Sequence, residues 1–211
     1  MKKPTGRRSA LAALAAVAAL VLTVTPASAA PSTVWTVTPS PALVAGTNST
    51  NVAMSANVNA WNCAKSAFTA TLHSATGNPA QVGTFGSFTF GTASTPCTGV
   101  LGPVSVTATT PWTFTAQDHT AATGVTKGYV DTIDLTVSGG SLSFRARGKA
   151  SATYTNATGR LVIDGTAGQL LITQSTDGAV FPVGGSVIVK AAYQLKLAGG
   201  GAIATIVGTA P

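Results

Sequence analysis

Apolar and hydroxyl-bearing residues alternate with period two along most of this chain, and that pattern constrains the fold more than any other feature. Phe68, Ala70 and Leu72 stand against Thr69, Thr71 and His73. Val104, Val106 and Ala108 oppose Ser105, Thr107 and Thr109, and Trp112, Phe114 and Ala116 oppose Thr113, Thr115 and Gln117. Further on, Tyr129, Ile133, Leu135 and Val137 fall together against Val130, Thr132, Asp134 and Thr136. Leu142, Phe144 and Ala146 oppose Ser143, Arg145 and Arg147, and Val187 to Leu197 predicts one long last strand. Successive side chains on a strand point to opposite faces, so each run has one face to bury and one to wet.

Turn residues separate the runs: Gly77-Asn78-Pro79, Gly139-Gly140, Asp164-Gly165, Asp177-Gly178 and Gly184-Gly185. Many short strands with regular turns predict an all-β fold, an antiparallel β-sandwich or barrel-like single domain. Composition agrees. The chain has no Glu, and Thr, Val and aromatic residues favour a pleated surface over a helix. Charge is scarce, so Thr and Ser must keep the surface wet.

The N-terminus carries a different signal. Lys2, Lys3, Arg7 and Arg8 precede an apolar run from Ala10 to Val24, and Pro26 then leads into Ala27-Ser28-Ala29. Positive charge, a short apolar stretch and A-x-A make a cleavable secretory signal, with cleavage after Ala29. The apolar run is shorter than the roughly 20 residues that a spanning helix needs, so no stable membrane span is expected after cleavage. Arg7-Arg8 leaves both the Sec and twin-arginine routes open. The organisation read from the sequence is a signal peptide at 1–29, a loose Pro- and Thr-rich arm at 30–46, a β-sandwich domain at 47–198, and a Gly-rich tail at 199–211 with Ile203–Val207 as a candidate edge strand.

Removing the leader changes the electrostatics. The whole chain has a net charge of +7, but without the four leader cations eight Lys and Arg face five Asp, a net +3. That is no footprint for a nucleic acid. An exported chain with two cysteines is expected to bridge them, Cys63 to Cys97.

Chemistry-bearing residues are few. Asp118-His119 is the best catalytic-looking pair, yet neighbours on a strand diverge, and a polar loop after Gln117 explains both. Asp131 and Asp134, three apart, are expected on opposite faces, while Asp164 and Asp177 look like turn formers. No residue set has metal-ligand spacing, and no cofactor is implied. Arg145, Arg147 and Lys149 form one cationic strand face that could meet an anionic partner, or simply stay solvated. Trp35, Trp61 and Trp112 could stack on sugars, although aromatic residues in a β-protein more often pack inside. Asn48-Ser49-Thr50 and Asn156-Ala157-Thr158 are glycosylation patterns.

Cys63, Phe88 and Phe90 before Cys97, Pro111-Trp112 opening a strand, Tyr154 to Leu161 and the closing Tyr193 resemble a group of uncharacterised secreted proteins of actinobacteria. The resemblance implies a secreted β-rich domain with a Cys63–Cys97 bridge and brings no activity with it. Members of that group often carry a further cysteine pair, which this chain lacks. The expected function is therefore non-catalytic binding or packing, extracellular or at the cell surface, with a cell-wall or extracellular polymer as the candidate partner. The rivals are a carbohydrate-binding module resting on the tryptophans, a secreted hydrolase resting on Asp118-His119, and a membrane β-barrel resting on the long strands.

Overall fold

The computed structural model describes residues 33–100 and 102–209. The segment read as a signal peptide, its expected cleavage point at Ala29 and the last two residues lie outside the described residues. Among the described residues sixteen strands follow one another. The first eight are β1 (Val34–Thr38), β2 (Ala42–Asn48), β3 (Val52–Ala56), β4 (Asn59–Cys63), β5 (Ser66–Leu72), β6 (Ala75–Thr76), β7 (Ala80–Phe90) and β8 (Cys97–Gly99). Then come β9 (Gly102–Ala108), β10 (Trp112–Thr120), β11 (Val125–Gly139), β12 (Leu142–Thr155), β13 (Arg160–Asp164), β14 (Leu170–Ser175), β15 (Val187–Leu197) and β16 (Thr205–Thr209).

The strands pair antiparallel, and the pairing closes on itself. From Arg145 on β12 the register passes to Thr136 on β11, Thr107 on β9, Thr89 on β7, Ala67 on β5 and Thr47 on β2. It continues through Gln194 on β15 and Arg160 on β13 and returns to β12 at Thr155. The ring has eight strands and comes back ten residues further along β12. Such a stagger is what tilted strands need in order to close a barrel. Of the two architectures that the alternation allows, the barrel-like one therefore describes the pairing. β10 continues the line of β9 between β7 and β11. β3, β4 and β8 make a second route from β15 to β9.

Side chains fill the interior. Phe68, Phe85, Phe88, Trp112 and Tyr193 pack with ring centroids 4.6 to 5.7 Å apart. The void beside them is about 10 Å³, too small for more than a single water. The Tyr193 hydroxyl meets Ser66 Oγ at 2.9 Å, and Ser66 Oγ donates to the Thr89 carbonyl at 2.7 Å. The one serine proton is thereby used, so the tyrosine donates to the serine. Burial pushes the Tyr193 phenol above its ordinary range.

The structure corrects the sequence at β11. Val130 pairs with Ala150 but Ile133 pairs with Gly148, so one extra residue is inserted between them. This bulge lets both Val130 and Ile133 point inward, at 0% and 3% exposure. Tyr129, expected on the apolar face with Ile133, instead lies outside beneath Lys149. Strict alternation cannot register an extra residue, because a bulge shifts the phase of everything before it.

The ends are a second correction. The stretch read as a loose arm contains β1 and most of β2, and the tail ends in β16, which pairs along β1. Trp35, Val37, Ala42 and Val44 are all buried, so the apolar alternation there outweighs the prolines. Barrel side chains fasten the tail. Asn156 Nδ2 donates to the Ile206 carbonyl at 2.9 Å, and its Oδ1 accepts from the Ile206 amide at 2.8 Å. Thr126 Oγ1 donates to the same carbonyl at 3.0 Å, and the Tyr154 hydroxyl donates to the Ala204 carbonyl at 2.5 Å.

Cys63 and Cys97 form the expected bridge, across a separation of 34 residues. Trp61 faces Gly99 and Asn62 faces Thr98, so the bridge spans directly opposed positions of β4 and β8. Replacing both cysteines with Ala should lower stability in urea by about 3–4 kcal/mol, from lost chain constraint. An unchanged urea midpoint would contradict that. Asn156→Ala should cost about 1–3 kcal/mol by taking the side-chain acceptor from the Ile206 amide, and should speed exchange of that amide. Exchange as slow as in the parent would rule out the clasp.

Candidate functional site

A solvent-open groove lies where the ends of β7, β9 and β11 come together. One wall is the loop that follows Phe90. The Gly91 amide donates to the Lys65 carbonyl at 2.6 Å, and the Thr92 and Thr95 backbones bond each other at 2.9 and 3.1 Å. Thr92 Oγ1 accepts from the Thr95 amide at 3.0 Å. The loop is thus tied in place at both ends. The facing wall is the β11–β12 turn, where Gly140 takes φ 59°, a conformation that favours glycine. The floor is the start of β9 beside Cys97.

This groove encloses about 550 Å³, within the roughly 300–1,000 Å³ typical of ligand sites. None of its lining side chains ionises, since Cys97 is held in the disulfide. Ser105 and Ser138 are directly opposed on β9 and β11, and both are exposed. The Phe90 ring is half-buried and stacks on Phe88 at 5.2 Å and 19°. The same ring also borders the void among Phe88, Trp112 and Tyr193, so it joins the groove to the aromatic core. A second cleft of about 350 Å³ lies on the other side of the loop and shares Gly91 and Thr92 with the first. Thr89, Thr107 and Thr136, one cross-strand row of exposed hydroxyls, run beside both.

Arg145, Arg147 and Lys149 share the outer face of β12, as alternation predicts, but they are already engaged. Arg145 Nε and Nη2 donate to the two Asp134 oxygens at 2.7 and 2.6 Å, and Arg147 Nε donates at 3.0 Å. Lys149 Nζ sits 4.8 Å from the centroid of the Tyr129 ring. The row is less a free cationic patch than a set of links between β12 and β11. The bulge also overturns the expected split of the aspartates. Asp131 pairs with Thr113 and Asp134 with Arg147, both outer-face positions, so the two carboxylates share the outside.

The tryptophans are no sugar platform. Trp35, Trp61 and Trp112 are 0%, 3% and 2% exposed. Trp35 Nε1 donates to the Gly77 carbonyl and Trp112 Nε1 to the Thr109 carbonyl, each at 2.9 Å. Trp61 packs edge-on against Phe144. Aromatic rings on a filled barrel gain more by burial than by waiting for a ligand.

Asp118 and His119 lie within β10, not in a loop. His119 Nδ1 meets Thr126 Oγ1 at 3.0 Å. The Thr126 hydroxyl proton is committed to the Ile206 carbonyl, so the ring nitrogen is the donor. His119 thus belongs to the clasp on the tail. Asp118 pairs in register with Lys127 on the other face. Asp164 and Asp177 cap their own turns, bonding the amides of Thr166 at 3.0 Å and of Ala179 at 2.9 Å. Both glycosylation patterns have occupied amides: Asn48 Nδ2 donates to the Thr50 and Ala64 carbonyls, and Asn156 holds Ile206. Among the described residues no three His, Cys, Asp or Glu gather to hold a metal.

Sequence reasoning missed Phe90, Ser105 and Ser138 as neighbours. The available signal was weak: hydroxyls at strand ends next to the Gly139-Gly140 turn. Comparison with protein-family models, with curated proteins and with solved structures finds no match for this chain.

The Asp134 links give a pH signature. Hydrogen bonds from Arg145, above all, hold its carboxyl below the ordinary value of 3.8. A depressed carboxylate stabilises the fold fully above its unfolded pKa and loses that contribution as pH falls through the folded one. The stability gap between the parent and Asp134→Asn should therefore hold at neutral pH and shrink as pH drops below about 4. A gap that stays constant down to pH 2 would contradict the pairing.

Proposed function

We propose that the protein is exported by its N-terminal leader and works outside the cell or at its surface. There it acts as a non-catalytic barrel that binds or packs against a partner through its outer face. The observation carrying this is that no ionisable side chain lines the walls of the groove between β7, β9 and β11. General acid–base catalysis needs a positioned group that can hold or release a proton, whereas recognition needs only shape and hydrogen bonds. The buried disulfide supports an oxidising compartment.

The hydrolase alternative loses its support because His119 fastens the tail strand. The membrane-barrel alternative would need an outward apolar band, while Thr47, Thr69, Thr71, Thr89 and Thr107 present exposed hydroxyls there.

The full chain, expressed in an exporting bacterial host, should appear outside the cell with its N-terminus at Ala30. Fractionation and N-terminal sequencing read this directly. An intact leader, or a product recovered only in detergent-extracted membranes, would sink the proposal.

A further inference from the structure

We infer that the groove between the Gly91–Pro96 loop and the Gly139–Gly140 turn binds a strand of neutral polysaccharide. This rests on the outer groove being the contact surface proposed above. Four features of the groove converge on that ligand class.

The first is charge. No lining side chain ionises; Lys65 lines the adjoining cleft, and Arg145 is closed on Asp134. An anionic polymer would find no free row of cations here, and phosphate or carboxylate recognition depends on such groups. The second is the mixture of donors and acceptors. The opposed hydroxyls of Ser105 and Ser138 each donate and accept, as sugar hydroxyls do.

The third is apolar lining: Phe90, Pro96, Pro103 and Val104 share the groove with the two serines. Apolar lining next to hydroxyls suits a sugar, which has apolar C–H faces and a polar rim. Phe88 backs the Phe90 ring, so little side-chain freedom is lost on binding. The fourth is shape. The groove is open to solvent and adjoins a second cleft across Gly91 and Thr92. The hydroxyl row of Thr89, Thr107 and Thr136 extends alongside. An open track lets a chain pass through, where a closed pocket would take only its end. The tryptophan basis for sugar binding is gone, and this groove replaces it with different residues.

The test uses the chain from Ala30 onward and soluble linear β-1,4- and β-1,3-glucan and xylan oligosaccharides, with polygalacturonate as the anionic contrast. Amide chemical shifts are followed by NMR during titration. At least one neutral saccharide should give saturable shifts at Phe90, Ser105, Ser138 and Gly139. Ser138→Arg, which fills the groove from an exposed position, should weaken binding at least tenfold with an unchanged melting temperature. Thr71→Arg, on the outer face away from the groove, should leave affinity unchanged. Neutral saccharides that leave the groove amides unmoved, equal affinity in Ser138→Arg, or tighter binding of the polyanion would each overturn the inference. A chain exported and cleaved at Ala30 that fails this titration removes the saccharide site alone. A chain retained inside the cell removes the export proposal whatever it binds.

Discussion

Closure of the backbone hydrogen-bond ring is the constraint on which everything else here depends. An open sheet of this composition would expose unpaired strand edges with little charge to protect them. Joining β12 through β11, β9, β7, β5, β2, β15 and β13 back to itself removes those edges around the ring. The disulfide pins the second route at β4 and β8. The clasp of Asn156, Thr126 and Tyr154 ties the tail, and through it β1, onto the barrel. Charge contributes little: among the described residues both ion pairs end on Asp134.

Closure also decides where function can lie. With the inside taken by aromatic rings and the Tyr193–Ser66 pair, a ligand has only the outer face to meet. That face carries many Thr and Ser hydroxyls, and the groove falls where strand ends, a tied loop and a glycine turn come together. Scarce charge, which at first looks like a mere oddity of composition, thus becomes a statement about partners. The proposed polymer partner rests on the uncharged lining of that groove.

The fold class was legible because alternation and turns are local signals. Phe68, Ala70 and Leu72 are all buried, as their spacing predicts, and so are Val104, Val106, Trp112 and Phe114. What escaped was whatever depends on a pairing register. Tyr129 was misplaced because the bulge before Ile133 is invisible without β12 beside it. The cations of β12 looked free because Asp134 meets them only across strands. His119 looked catalytic next to Asp118, yet its partner Thr126 comes from the neighbouring strand. Trp35 and Ile206 lie at opposite ends of the chain, and only the β1–β16 pairing explains why both are fully buried. The groove itself gathers residues from β7, β9 and β11, so no single segment announces it.

Native-state amide exchange under increasing urea tests barrel closure most directly. If the ring is closed, slow amides on both sides of the β2–β15 seam and of the β11–β12 seam should exchange only through global unfolding. They should share one free energy and one urea dependence. A β2–β15 seam that opens by local fluctuation, with a lower free energy and little urea dependence, would mean an open sheet and would contradict the account.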